Sequence, residues 1–220
     1  MRFPLLMDAS SACQGLPLVV AAMRGQLRGA RAWFFAWCAV NLLETGTMIG
    51  LNLADVHNLW VPYVFQPAEG ALALWAFSCW QVSAGARRAM RLAIPPFLLV
   101  VLVLSASLES VASFSRWMQP LTALVGLVAA ASTLVARSRT STSDVLRQDW
   151  FWVSAGMALY LGTFSMIGPL SALLAGNIPL LLGALKVHAA LTILAFLAIA
   201  WGLWCPARTG EVATPRVRVP

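Results

Sequence analysis

The stretch LLLGALKVHAALTILAFLAIAWGLW, residues 180–204, has ionisable side chains only at Lys186 and His188. Because a bilayer core of about 30 Å needs about 20 mostly apolar helical residues, this stretch predicts a transmembrane helix, which we assign to residues 178–204. Five further stretches meet the same test: 32–54, 60–82, 92–109, 112–136 and 150–175. The sequence therefore predicts an all-α, polytopic membrane bundle of six transmembrane helices.

The composition supports a membrane environment. Of the 220 residues, 60% are hydrophobic and 10% are charged, whereas soluble domains have about 25% charged residues. The net charge of +7 does not indicate nucleic-acid binding, because the basic residues form short clusters between apolar runs, which is how membrane topology is encoded. Richness in Ala, Arg and Trp suggests a GC-rich genome, and we expect a multi-pass protein of a bacterial inner (cytoplasmic) membrane.

The basic residues also predict the orientation. All of the 15 Lys and Arg residues except Arg116 and Lys186 fall on one side of the six spans. The positive-inside rule makes that side cytoplasmic, so both the N- and C-termini are expected there, as an even number of spans requires. This gives a cytoplasmic segment over 1–31, a transmembrane domain over 32–204 and a disordered cytoplasmic tail over 205–220.

The N-terminal segment has two interpretations. Arg24, Arg28 and Arg31 are spaced i, i+4, i+7 and would share one face of a helix over residues 17–31. Such a helix could lie in the membrane interface on anionic headgroups. Alternatively, the three arginines are the ordinary basic flank of the first span.

Four ionisable residues lie at mid-membrane depth in the predicted spans: Glu44, Glu69, Lys186 and His188. With a rise of 1.5 Å per residue, each lies about 12–15 Å below the outer end of its helix, so the four share one layer. Buried charges usually have partners, and we expect Lys186 to pair with Glu69. Because His188 is about 200° around the helix from Lys186, it must face another neighbour, either Glu44 or a helix interface. Asn41 adds polar capacity beside Glu44.

Three roles remain open for this layer. A Glu69–Lys186 pair could simply fix the helix order, or the layer could bind a proton, an ion or a small ligand. Lys186 could also carry a retinal Schiff base, although six helices instead of seven argue against it. We expect no metal, no cofactor and no enzymatic activity, because the four cysteines are far apart and neither a nucleophile motif nor a phosphate loop is present.

Four segments carry a resemblance to a known group: NLLE (41–44), YVFQPAEG (63–70), QDWFWVSAGMALYLGTF (148–164) and KVHAALTILAFLAIAWGLW (186–204). They resemble a broad, poorly characterised group of bacterial six- or seven-helix membrane proteins related to the membrane-embedded sensory modules of histidine kinases. The resemblance places Glu44, Glu69, Tyr160 and His188 in a shared polar core. Lys186 is not part of the pattern.

These observations favour a membrane-embedded sensory or accessory module. Its polar layer would respond to a small ligand, a lipid or a proton, and a partner membrane or signalling protein would read the change. The alternative is a small proton-coupled transporter in which Glu44 or Glu69 carries the proton.

Overall fold

The computed structural model describes residues 5–109, 115, 117–141, 144–174 and 176–206, and all regular elements of this part are helices. The nine α-helices are α1 (Leu5–Cys13), α2 (Leu16–Arg24), α3 (Ala30–Leu53), α4 (Val61–Trp80), α5 (Ala84–Leu92), α6 (Ile94–Ser107), α7 (Met118–Thr140), α8 (Asp149–Leu174) and α9 (Ile178–Trp204). A short 3-10 helix, Val145–Arg147, precedes α8.

Six helical stretches are long and apolar enough to cross a membrane: Leu5–Arg24, Ala30–Leu53, Ala84–Ser107, Met118–Thr140, Asp149–Ile167 and Ile178–Trp204. The chain is therefore a multi-pass, all-α membrane protein whose surroundings are lipid. The last helix has the bounds predicted from the sequence. The Asn177 side chain caps its N-terminus by accepting a hydrogen bond from the Leu180 N–H, and this fixes where the helix begins.

One predicted span is missing from this set of six. Helix α4 has 20 residues and lies within the predicted span 60–82, but Gln66, Pro67 and Glu69 reduce its mean hydropathy. It is nevertheless surrounded by protein, since it packs against α3, α5, α6 and α7. Helix α4 is thus an interior helix, as expected for one that bears a polar site.

Leu5–Arg24 is the apolar stretch that we did not count as a span. Both α1 and α2 pack against α9, and Thr45 Oγ1 on α3 donates a hydrogen bond of 2.7 Å to Gln14 Oε1. Gly25, with φ of 61°, ends α2 directly after Arg24. Because α3 begins only at Ala30, Arg24 and Arg31 lie on different helices and the expected shared arginine face does not form.

The long helices form a closed ring. Going around it, α9 packs on α8, α8 on α7, α7 on α4, α4 on α3, α3 on α2 and α2 on α9. Helix α6 lies outside this ring against α4, and most of its surface is exposed. The inner faces of the ring enclose both apolar core residues and the polar residues described next.

Candidate functional site

Two acidic side chains point into the ring from adjacent helices. Glu44 on α3 is 7% exposed and Glu69 on α4 is 6% exposed. Asn41, one helical turn before Glu44, is 3% exposed. Because residues three apart share a helix face, Asn41 and Glu44 both point toward α4.

These residues form one hydrogen-bonded cluster. Asn41 Nδ2 donates to Glu69 Oε1 at 3.2 Å and to the hydroxyl oxygen of Tyr160 on α8 at 3.1 Å. The carboxyl groups of Glu44 and Glu69 lie within hydrogen-bonding range of each other. The cluster therefore connects α3, α4 and α8, and we call these four residues the carboxyl cluster.

The carboxyl cluster has no positive partner. In the part of the chain that the structure describes, the ion pairs are Arg31–Asp149 and Arg147–Asp144, and neither involves Glu44 or Glu69. An ionised carboxylate can only accept hydrogen bonds, so two carboxyl groups can bond to each other only if one of them carries a proton. The arrangement can thus hold a proton shared between α3 and α4.

Lys186 is not part of this cluster. Its side chain is exposed on α9, and the expected ion pair with Glu69 is wrong. Lys186 precedes Trp204 by about five helical turns, so both side chains lie on the same side of α9, where the Arg24 guanidinium stacks over Trp204 at 4.0 Å. At the Trp204 end that side meets α2, whereas Glu69 is on α4. The pair was expected from depth alone, and depth does not specify rotation about the helix axis.

His188 is also outside the carboxyl cluster. It is half-buried, with its ring centroid 6.3 Å from that of Phe164 on α8. Its Nδ1 is buried and has no hydrogen-bond partner among the described residues. Of the six site residues predicted from the sequence, the structure brings together Asn41, Glu44, Glu69 and Tyr160, and leaves Lys186 and His188 elsewhere.

Aromatic rings pack around Tyr160 on both sides of the carboxyl cluster, with Trp37 toward Arg31 and Phe164 away from it. The Tyr160 ring lies 5.8 Å from Trp37, 5.2 Å from Phe196 and 5.5 Å from Phe164, measured between centroids. Trp37 is one turn before Asn41 on α3 and is 1% exposed. Packed rings exclude water, so electrostatic interactions within the cluster are stronger than at a surface.

Sequence analysis missed a set of buried polar residues near the carboxyl cluster. Gln66 on α4 and Gln119 and Thr122 on α7 are 2%, 7% and 7% exposed. Gln66 Oε1 and Thr122 Oγ1 have no hydrogen-bond partner among the described residues. The signal was present in the sequence, because Gln66 with Glu69 and Gln119 with Thr122 repeat the same i, i+3 spacing on two helices.

A second buried polar cluster, also missed, lies at the opposite end of the ring. Arg31 Nε donates to Asp149 Oδ2 at 2.9 Å, and its Nη2 donates to the carbonyl oxygen of Cys205 at 2.6 Å. The backbone N–H of Trp150 donates to the other carboxylate oxygen of Asp149. Burial raises the pKa of the Cys205 thiol, and the negative charge of Asp149 raises it further. We call this the arginine cluster; it joins the ends of α3, α8 and α9.

No metal site accompanies either cluster. In the described residues, no three His, Cys, Asp or Glu side chains are close enough to hold a metal ion. The described cysteines, Cys13, Cys38, Cys79 and Cys205, are free. What the carboxyl cluster offers chemically is proton binding and the strong electrostatic consequences of losing that proton.

Comparisons with protein-family models, with curated proteins and with solved structures found no match.

Proposed function

We propose that this protein is a sensory or accessory module embedded in a bacterial inner membrane, and that its signal is the protonation of the Glu44–Glu69 pair. Loss of the shared proton changes the packing of α3, α4 and α8, and a partner protein reads that change. The observation that carries the proposal is that two buried carboxyl groups lie within hydrogen-bonding range of each other, and no described cation forms an ion pair with either of them.

The size of the electrostatic effect supports a switch. Two unit charges about 4 Å apart interact by about 4 kcal/mol at an effective dielectric constant of 20. Alternative conformations of a protein commonly differ by only a few kcal/mol. Removing the shared proton is therefore sufficient to favour a state in which the carboxyl groups, and the helices that bear them, move apart.

The partner protein is inferred from the resemblance to sensory modules of histidine kinases. In the carboxyl cluster, Tyr160 on α8 is bonded through Asn41 to Glu69 on α4. Helix α8 begins at Asp149 in the arginine cluster. A shift of α8 would thus reach the end of the bundle at which α9 ends, and we place the partner's contact there.

We also propose that the end with the arginine cluster faces the cytoplasm, as the positive-inside rule indicates. The Arg24 end of Leu5–Arg24 lies next to Trp204, at the proposed cytoplasmic end. The N-terminus is therefore external if this stretch crosses the membrane, and cytoplasmic if it does not. A cytoplasmic reporter signal at the N-terminus would favour six crossings, and an external signal would favour seven.

The second candidate is a small proton-coupled transporter. It is favoured by the same carboxyl pair, because acidic residues inside membrane bundles also serve as proton carriers. The two candidates differ in one consequence. A transporter moves protons through the membrane, whereas a sensor binds and releases them without net flux.

The experiment that tests the proposal combines two readouts on the full chain. Tryptophan fluorescence in lipid nanodiscs is recorded against pH, since Trp37 packs edge-to-face against Tyr160. Proton flux is recorded in liposomes. We expect the wild type to show a fluorescence transition with pH, and Glu69→Gln to abolish it. Asp144→Asn, which changes an exposed surface carboxylate, should retain the transition. Proton flux with the same dependence on Glu69 would establish the transporter instead.

A further inference from the structure

A column of buried polar side chains leads from one end of the ring to the carboxyl cluster. At that end, Ser115 Oγ donates to the two carboxylate oxygens of Glu109 at 3.2 and 3.0 Å. The Tyr63 hydroxyl is within hydrogen-bonding range of both residues. The next polar side chains inward are Gln66 and Gln119, which are 2% and 7% exposed.

Three contacts show how α4 and the chain of α7 run side by side. The Tyr63 hydroxyl meets Ser115, a Cβ placed at Gly70 would lie 3.3 Å from Thr122 Cγ2, and Gln81 Nε2 donates to Thr133 Oγ1 at 2.8 Å. In each contact the second residue number exceeds the first by 52, so the two segments run parallel at a constant offset. Gln66 and Gln119 therefore lie between the Tyr63–Ser115 level and the Gly70–Thr122 level.

The column reaches the carboxyl cluster within a short distance. Glu69 is next to Gly70, which lies at the level of Thr122. Glu69 comes six residues after Tyr63, which is about 9 Å along α4. Along this distance three buried oxygen atoms have no hydrogen-bond partner among the described residues: Gln66 Oε1, Thr122 Oγ1 and Asn41 Oδ1. Buried polar atoms are nearly always bonded to protein or to ordered water, so these atoms mark positions for water.

We propose that this polar column, hydrated by bound water molecules, is the path by which protons reach the Glu44–Glu69 pair from the Glu109 end of the bundle alone. The inference rests on the proposed function and specifies how its site is supplied. We call the path the α4–α7 path and define it by Tyr63, Gln66, Gln119 and Thr122.

The proton transfer along this path balances simply. A proton from bulk water passes to the first bound water molecule, and each water molecule accepts one proton and donates one onward. The carboxyl pair gains one proton and the bulk loses one, with no oxidation or reduction. The two glutamine side chains and the Thr122 hydroxyl hold the water molecules by hydrogen bonds, which cost little entropy to form, and do not themselves change protonation state.

The other end of the ring offers no such path along α3. Between Arg31 and Asn41, the inward side chains are Phe34 and Trp37, which are 0% and 1% exposed. Phe34 stacks on Trp80 at 5.0 Å between centroids, and Trp37 on Phe196 at 6.2 Å. Apolar packing at this density holds no water. On α8, the Ser154 hydroxyl between Asp149 and Tyr160 is also buried without a partner among the described residues, but it is a single polar atom and not a column, so we infer access from the Glu109 end.

The test measures how fast the pair exchanges its proton. The full chain in nanodiscs is subjected to a pH jump, and the fluorescence transition is followed in wild type, Thr122→Val and Gln66→Met. We expect each variant to slow the transition by roughly tenfold, because each removes a hydrogen-bonding station for a bound water molecule. The equilibrium midpoint of the transition stays unchanged, since both carboxyl groups remain.

Thr192→Val is the matched control. Thr192 on α9 is 3% exposed and its hydroxyl also lacks a partner among the described residues, but it is not on the α4–α7 path. This variant makes the same chemical change as Thr122→Val and should leave the rate unchanged. A general loosening of the bundle would slow or accelerate both threonine variants alike.

Vesicles with a known protein orientation then test the side of access. A pH jump on the Glu109 side should trigger the fluorescence transition, and a jump on the Arg31 side should not. Equal responses from both sides, or equal rates in Thr122→Val and Thr192→Val, overturn the path while leaving the proposed proton switch intact. A wild type with no pH transition at all overturns both.

Discussion

The carboxyl cluster and the arginine cluster are both buried polar groups within one helical ring, and they differ in charge balance. In the arginine cluster, Arg31 faces Asp149, and their side chains are 4% and 9% exposed. In the carboxyl cluster, two acids face each other with no cation. A balanced pair that is fully hydrogen-bonded stabilises one arrangement, whereas an unbalanced pair depends on a proton and can change.

The two clusters share helices. Arg31 and Glu44 both lie on α3, about 20 Å apart along its axis, and Asp149 and Tyr160 both lie on α8, about 17 Å apart. A displacement of α3 relative to α8 at one cluster must therefore be accommodated at the other. The arginine cluster joins the ends of α3, α8 and α9, so under the proposed function it is where a movement at the carboxyl cluster would be passed to the partner.

The comparison is tested most strongly by Asp149→Asn. This change leaves Arg31 buried without its counter-charge, and removing one partner of a buried ion pair costs about 3–5 kcal/mol in the free energy of unfolding. Unfolding in detergent, followed by circular dichroism, measures the loss. Cys205 should also react faster with maleimide, because removal of the nearby negative charge lowers the pKa of its thiol.

Asp144→Asn provides the control for this prediction. Asp144 also pairs with an arginine, Arg147, but their side chains are 56% and 81% exposed, and such surface pairs contribute about 0–1 kcal/mol. A loss in Asp149→Asn no larger than that of Asp144→Asn would show that the arginine cluster does not hold the helix ends together.

Glu69→Gln should remove the fall in the free energy of unfolding that we expect for the wild type at alkaline pH. In the wild type, raising the pH until the shared proton is lost leaves two adjacent negative charges, so the free energy of unfolding falls. The amide keeps hydrogen-bonding capacity without a charge, and we expect a difference of about 1–3 kcal/mol in favour of the variant at alkaline pH. Denaturation of both proteins over a pH series measures it, and parallel curves would contradict the shared-proton account.

Tyr160→Phe should have a smaller effect. It removes the hydroxyl that accepts a hydrogen bond from Asn41 but keeps the ring that packs on Trp37, Phe164 and Phe196. The expected loss in the free energy of unfolding is about 0.5–1.5 kcal/mol. The pH transition should persist with reduced amplitude, since α8 is uncoupled from the carboxyl pair. An unchanged amplitude would remove α8 from the proposed response.

Lys186→Met should have almost no effect on stability, within about 0.5 kcal/mol, because Lys186 is exposed and outside both clusters. Loss of a buried partner of Glu69 would instead cost several kcal/mol. A large loss in Lys186→Met would therefore restore the Glu69–Lys186 pair that the sequence led us to expect and would remove the contrast between the two clusters.

The sequence predicted what depends on local pattern. The apolar run of α9 predicted Ile178–Trp204, and depth along the helices indicated that Glu44 and Glu69 share a layer. Rotation about a helix axis depends on which helices are neighbours, and the sequence does not contain that information directly. The Glu69–Lys186 pair failed for this reason, because Lys186 is exposed on α9 and Glu69 is buried on α4.

Long-range pairing explains the remaining differences. Arg31 was read as a cytoplasmic flank, because counting basic residues cannot show that it meets Asp149, which lies 118 residues later in the chain. Residues 16–23 were judged too short for a span before Arg24, and the weak apolar stretch before them is interrupted by Asp8 and Gln14, yet Gln14 is bonded to Thr45 within the bundle. In both cases a polar residue that looked unfavourable was satisfied by a distant partner.

The measurement that tests the shared proton most directly is infrared difference spectroscopy of the full chain in nanodiscs across the pH transition, with Glu69→Gln and Glu44→Gln alongside. The account predicts a carbonyl band of a protonated carboxylic acid that is lost as the pH rises, shifts in deuterated water, and is changed by either substitution. Absence of any such band in the wild type at neutral pH, or a band unaffected by both substitutions, would contradict a proton shared between Glu44 and Glu69.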